Sequence, residues 1–385
     1  MPRGFIVRFG IALVLAFVVA AQAPALDLFQ FCSRDEVVRL NQKLAGRVVD
    51  YTHNHGCDRR LYSNFLGEKR DAYVYLPPGY DGIRQFPAVL WLHGLGSDER
   101  SFLELAVIFD QGIRTGTLPP AVIIAPDGSI RGHPSLFNSG SFYINSNAGN
   151  YADYIVQDMW GFLKANYAVR PEREAHLIVG ASMGGFGAYN LGFKHKAEFA
   201  NIAGIMPPLN LRYADVQGNY FGNFSPGMAT FRTELPRNAI IGRFYGFLLI
   251  RSRRITDPLL GRRHPDPVAF VSRENPIEML AAYDVKPGDY EMFLGYGTRD
   301  EFNIDAQVLH FVEVARSRGI EPFVHCLPNG RHNISSGVAM VPAMSAWAKV
   351  RLGPYAPPSY SPGGACGSTL PSCAIRQPTH FSLER

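Results

Sequence analysis

An apolar run, His176–Val179, enters Gly180-Ala181-Ser182-Met183-Gly184-Gly185 and then a segment of helical pattern from about Met183 to Phe193. A chain that passes from strand to helix through G-x-S-x-G must reverse sharply. Gly180 and Gly184 remove side chains where neighbouring backbone comes close. The turn lifts the Ser182 hydroxyl above a sheet edge. It also leaves the Met183 N–H among the unpaired donors of a helix start, where negative charge is stabilised. A Gly-rich turn with a capping serine has the same five-residue pattern; the flanking strand and helix favour a nucleophile. A phosphate loop is excluded, because no Lys followed by Ser or Thr stands at the required spacing.

The rest of the chain repeats the alternation. Strands are predicted over Asp71–Leu76, Ala88–Leu92, Ala121–Ala125, Ile202–Met206, Glu291–Leu294 and Phe323–Leu327. Helical spacing marks Tyr151–Tyr167, the series Ile304, Val308, Phe311, Val312 and Ala315, and Val338–Leu352. Strands separated by long connections specify an α/β domain with a mostly parallel sheet, flanked by helices. Residues 67–352 are read as this domain. Within it, residues 207–285, rich in Gly, Pro, Arg and aromatics, are read as a lid-like insertion over the ligand side. The alternative is that they hide helices of the core. Residues 24–66 read as a polar extension opening with a short helix around Asp35–Leu44, and residues 353–385 as a Pro/Gly-rich tail. A chain that is 46% hydrophobic, with 26 Phe and 18 Tyr, has ample core material and is not disordered as a whole.

Residues 1–23 have the form of a signal peptide. Arg3 and Arg8 precede an apolar run, Phe9–Ala21, that is too short for a typical membrane span, and Ala21-Gln22-Ala23 has the small-x-small form of a cleavage site. The expectation is an exported, periplasmic or secreted protein; a retained membrane anchor is the alternative. Five cysteines suit an oxidising compartment. Local pairing, Cys32–Cys57 and Cys366–Cys373, is the simplest arrangement, with Cys326 a free core thiol. The formal charge of +5 is a weak basic balance and no nucleic-acid module is present, so no nucleic-acid partner is expected.

A serine needs a base. His332 follows the strand Phe323–Leu327 through Pro328-Asn329-Gly330-Arg331, in a loop beyond a strand end where an α/β site collects its side chains. The acid should follow the preceding strand, at Gly297-Thr298-Arg299-Asp300-Glu301; Asp300 is preferred, Glu301 is the alternative and Asp305 the third choice. Ser182, Asp300 and His332 then stand in hydrolase order. His93-Gly94-Leu95-Gly96, after the strand Ala88–Leu92, offers the Leu95 N–H as a second oxyanion donor beside Met183, with the His93 ring bracing the loop. His310, His325 and His176 read as structural, and His53, His55 and Cys57 complete no metal shell. No cofactor or metal is expected. Aromatics of the insertion, among them Tyr220, Phe221, Phe244 and Phe247, are read as lid core or as a pocket for an aryl or lipid group. Phe244–Ile250, followed by Arg251, Arg253 and Arg254, also suits peripheral membrane contact.

The chain resembles the esterase D/feruloyl esterase/antigen 85-like group of α/β-hydrolases. The resemblance is carried by Tyr73–Tyr80, Leu92–Gly96, Gly140–Tyr143, Asn150–Ile155, Gly180–Gly185, Gly297–Phe302 and Pro328–His332. It implies an α/β-hydrolase fold, Ser182 as nucleophile, Asp300 as acid, His332 as base, and Leu95 and Met183 as oxyanion donors. Antigen 85-like members use a glutamate as acid, which keeps Glu301 open. The implied reaction is hydrolysis of a small-molecule or carbohydrate-linked carboxylic ester through an acyl-enzyme. The rivals are acyl transfer to a sugar or lipid, a peptidase, and a catalytically inactive binding protein on the same fold.

Overall fold

The computed structural model describes residues 36–130, 132 and 140–358. Its central sheet has eight strands: β1 (Arg47–Tyr51), β2 (Ala72–Leu76), β3 (Ala88–Leu92), β4 (Val122–Pro126), β5 (His176–Ala181), β6 (Asn201–Ile205), β7 (Glu291–Gly297) and β8 (Phe323–Leu327). They lie in the order β1-β2-β4-β3-β5-β6-β7-β8. β2 pairs antiparallel with both β1 and β4, and every pairing from β4 to β8 is parallel. The strands β2, β3, β4 and β6 are buried at every position, as expected where both faces are covered.

The principal helices are α1 (Ser101–Arg114), α2 (Met183–Lys194), α3 (Pro276–Ala282), α4 (Ile304–Ser317) and α5 (Ile334–Leu352). The pleat shows which face two of them cover. Ile202 of β6 lies directly under Gly192 of α2, so close that a Cβ there would overlap it. Phe293 of β7 pairs with Ala203, on the opposite pleat from Ile202, and its ring meets Trp347 of α5 at 5.8 Å. The helix that follows Ser182 and the last helix therefore sandwich the sheet. This is an α/β-hydrolase fold.

Three features depart from the sequence expectations. The N-terminal extension does not end at residue 66 as a separate piece, because β1 supplies an edge strand of the main sheet. Its polar Asp50 is buried, accepting the Thr52 N–H at 2.9 Å, which disguised the strand. The helix α1 was not anticipated; it buries Phe102, Ala106, Phe109 and Ile113, and Phe109 meets Trp91 edge-on at 5.9 Å. Cys326 is exposed rather than a core thiol, because β8 is the free edge of the sheet. Cys57 is exposed as well. The signal run, Cys32, Cys366 and Cys373 lie outside the described residues.

Residues 207–285 hold both alternatives foreseen for them. The strands Tyr213–Ala214 and Thr230–Phe231 form one hairpin, and Ile240–Phe244 and Leu248–Arg251 another. The helices Arg253–Leu260 and Pro267–Glu274 follow. The closing helix α3 belongs to the core, with Ile277, Met279 and Leu280 buried. The excursion is closed at its base: the Ile277 N–H donates to the Leu209 carbonyl at 3.0 Å, the Leu211 N–H to Asn275 Oδ1 at 2.9 Å, and Arg212 Nη1 to Glu278 Oε1 at 2.6 Å.

Candidate active site

At the end of β5 the chain turns through Ser182 with φ 53° and ψ −116°, a left-handed backbone that a side chain rarely adopts. The surroundings enforce it. The Ser182 N–H donates to the Ile205 carbonyl at 2.8 Å, and the Ser182 carbonyl accepts from Phe186 N–H at 3.0 Å. A Cβ on Gly184 would overlap the Leu92 carbonyl, and one on Gly180 would collide with the Gly184 backbone. The two glycines therefore permit the β5–α2 turn to press against the end of β3.

His332 reaches this turn from the loop after β8. Its Nε2 lies 2.7 Å from Ser182 Oγ, and its Nδ1 lies 2.7 Å from Asp300 Oδ2. The carboxylate can only accept, so Nδ1 carries the proton and Nε2 is left to accept from the serine hydroxyl. The Asp300 side chain is fully buried, and its Oδ1 accepts the Phe302 N–H at 2.8 Å. Burial opposes a charge on His332. The Asp300 carboxylate, by its charge and its hydrogen bond, and the Glu301 charge outweigh it and hold the imidazole above the usual histidine range.

Glu301 occupies a different position. Its Oε2 accepts the backbone N–H of His332 at 2.7 Å, and its Oε1 accepts from Arg331 Nε at 2.6 Å. The ring nitrogen is taken by Asp300, and Glu301 holds the loop that carries the ring. Sequence reasoning named Glu301 but could not separate these two tasks, since they depend on how two loops about thirty residues apart meet. Phe302 then lies edge-on to His332 at 4.8 Å. Asp305 is in the first turn of α4 and is not bonded to the histidine.

The second loop lies opposite. A Cβ on Gly94 would sit 3.8 Å from Ser182 Cβ, and the Leu95 and Met183 side chains converge on Gly140. His93 braces this loop: its Nδ1–H donates to the Gly94 carbonyl at 2.9 Å and its Nε2 accepts the Gly128 N–H at 2.8 Å. Tyr143 O–H donates to the His93 carbonyl at 2.9 Å. Behind Gly128, the buried Arg70 donates from Nη2 to Asp127 Oδ2 at 2.6 Å. Tyr143 stands in a quoted motif without an assigned role, and nothing in the sequence signalled the Arg70–Asp127 pair.

An apolar cavity of about 110 Å³ opens beside α2. Phe142, Ile144, Phe186, Leu211, Leu259 and Phe270 are among the residues lining it. Phe186 is one turn beyond Ser182 on α2. The insertion aromatics divide between roles. Tyr213, Phe224 and Phe231 surround His310 on α4. Phe244 meets Phe302 at 5.3 Å, while Tyr245 and Phe247 are exposed. His53 and His55 are engaged with Asp71 and Tyr73.

A family model described as "Putative esterase" matches residues 63–321. The chain belongs to this esterase family. Two curated esterases of Mycobacterium tuberculosis are each 30% identical over 176 residues, which is 43% of this chain and 36% of the relative's own length. The chain thus spans 36% of these relatives. An S-formylglutathione hydrolase of Arabidopsis thaliana is 24% identical over 179 residues, covering 42% of this chain and 61% of the relative. Among solved structures, a ferulic acid esterase aligns with a TM-score of 0.57 at 15% identity, over 80% of this chain and 99% of its own. An S-formylglutathione hydrolase from Agrobacterium tumefaciens aligns with a TM-score of 0.55 at 16% identity, over 80% and 96%. At these identities the structural likenesses establish the fold. Membership of the esterase family points to a reaction of the serine-hydrolase type.

Proposed function

We propose that the chain is an exported carboxylic ester hydrolase working through an acyl-enzyme on Ser182. The observation that carries this reading is the unbroken hydrogen-bonded line from Ser182 Oγ through the His332 ring to Asp300. As the serine attacks the ester carbonyl, His332 Nε2 takes its proton, and Asp300 stabilises the resulting imidazolium. The N–H groups of Met183 and Leu95 receive the developing oxyanion; Met183 supports this by standing first in α2, where its N–H has no helical partner. His332 then protonates the departing alcohol, and water repeats the sequence on the acyl-enzyme. The apolar cavity beside Phe186 suits a compact apolar group on the substrate. Export rests on the signal-like residues 1–23.

The test is turnover of a short p-nitrophenyl ester together with covalent labelling by a fluorophosphonate. Wild type should do both and Ser182→Ala neither, with its circular dichroism unchanged. Labelling that persists in Ser182→Ala would defeat the proposal.

A further inference from the structure

We infer that the hairpin Ile240–Phe244/Leu248–Arg251 docks the enzyme on an anionic lipid surface, with its aromatic tip entering the bilayer interface. The first observation is exposure. Phe247 is 67% exposed, Tyr245 48%, and Leu248 and Leu249 40% each. Leu248 pairs with Phe244 and Leu249 with Arg243, so the two leucines point to opposite faces of the hairpin. Both are open, so the tip projects from the body of the molecule. An apolar cluster of this kind on a protein surface marks an interaction site.

The second observation is charge. Between Glu234 and Asp266 the chain carries seven arginines, at 237, 243, 251, 253, 254, 262 and 263, and one carboxylate, Asp257. That stretch is formally +6, against +5 for the whole chain, so everything else sums to −1. The weak overall balance conceals a single concentrated basic segment.

The two features are arranged in order along the hairpin. Arg251 and Arg253 meet at its base, where their Nη1 groups donate to the Asn238 carbonyl at 2.8 Å and to Asn238 Oδ1 at 3.0 Å. The Arg237 backbone lies there too, its carbonyl accepting the Arg253 N–H at 2.8 Å, but its guanidinium is paired with Asp257, so Arg251 and Arg253 are the base charges that face a lipid surface. At the rise of a strand, Phe247 stands about 13 Å beyond Arg251. Interfacial elements bury their apolar parts about 5–10 Å deep, which sets these arginines at the level of the lipid phosphates. Apolar tip and basic base together select a bilayer over a purely polar polyanion, which would use the arginines alone.

The hairpin also borders the candidate site. The Arg243 N–H donates to the Glu301 carbonyl at 2.9 Å, Phe244 rests on Phe302, and the Arg331 guanidinium lies 5.5 Å from the Tyr245 ring centre. Docking through the tip holds the rim of the Ser182 site at the lipid surface.

The experiment is co-sedimentation of the full chain with vesicles of phosphatidylcholine alone, and of phosphatidylcholine and phosphatidylglycerol in equal parts. Wild type should prefer the anionic vesicles, and binding should fall as salt is raised. Phe247→Ser/Leu249→Ser should weaken it more than about tenfold. Arg251→Gln/Arg253→Gln should weaken it about fivefold per arginine. All variants share residues 1–23, and parallel runs with chains beginning at residue 24 separate binding by that apolar run from binding by the hairpin. Turnover of a soluble short ester should stay at the wild-type level in the tip variant, which verifies its fold. Vesicle binding that ignores lipid charge, or that survives the tip substitutions, overturns the proposal. So does tighter binding to a soluble polyanion such as dextran sulfate that is indifferent to the tip, or a dimer in sedimentation velocity that the tip substitutions dissolve.

Discussion

Ser182 and Tyr245 share almost the same left-handed backbone angle, φ 53° and 51°, in opposite surroundings. At Ser182 the turn is clamped: its N–H is bonded to Ile205, glycines give way on both sides, and a histidine waits 2.7 Å from the hydroxyl. At Tyr245 the turn ends a two-stranded hairpin, with Gly246 beside it and a half-exposed ring that lies against Phe247 and the Arg331 guanidinium. The strain is similar, but only the first is over-determined by its neighbours. An unusual backbone angle points to chemistry when the surrounding structure enforces it, and only to a tight bend when it does not.

Substitutions can break or sharpen this contrast. The largest effect is expected from Ser182→Ala, with turnover of a short p-nitrophenyl ester falling by about 10⁵-fold or more. Asp300→Asn should follow at about 10⁴-fold, because the histidine loses the partner that fixes its tautomer; single-turnover rates measure it. Gly184→Ala, which forces a methyl into the Leu92 carbonyl, should cost about 3 kcal/mol in urea unfolding.

Glu301→Gln should reduce kcat about tenfold, the scale of one charge-assisted hydrogen bond, and far less than Asp300→Asn. It also carries a pH signature. In the proposed mechanism His332 serves as base only when neutral, and its pKa is raised, so the acid limb of kcat/KM should lie above the ordinary histidine value. Removing the Glu301 charge removes one of the groups that raise it, so the limb should move to lower pH. A limb that stays in place would assign Glu301 a purely steric part. Least affected should be Tyr245→Gly, with stability changing by less than about 1 kcal/mol, since relief of the left-handed turn offsets the added chain freedom.

What the sequence disclosed divides along the same line. Ser182, Asp300 and His332 were legible because each follows a strand whose apolar run is unmistakable. β3 and β8 were predicted with the bounds they have. β1 escaped because Asp50 breaks its apolar pattern, its carboxylate being satisfied by Thr52 two residues on and by Arg59. The hairpin at 240–251 escaped because Gly242 interrupts its first strand, where the pairing register shifts. The division of labour between Asp300 and Glu301 was not readable at all. It depends on which carboxylate meets a ring and which meets a backbone N–H, and adjacent residues on one loop carry no mark of that in their order.

The bonded neck of the insertion has a consequence for remodelling. Leu209, Leu211 and Arg212 are tied to Asn275, Ile277 and Glu278, so the chain leaves and re-enters the core at one fixed gate. What lies between is a cassette that also braces the Asp300–Asn303 loop and α4, through Arg243, Phe244 and Tyr220, so a replacement must supply those contacts as well. A graft from another hydrolase that respects those six residues and these contacts would recast the roof over the serine, while one cut a few positions wider would take α3 with it and unseat the floor.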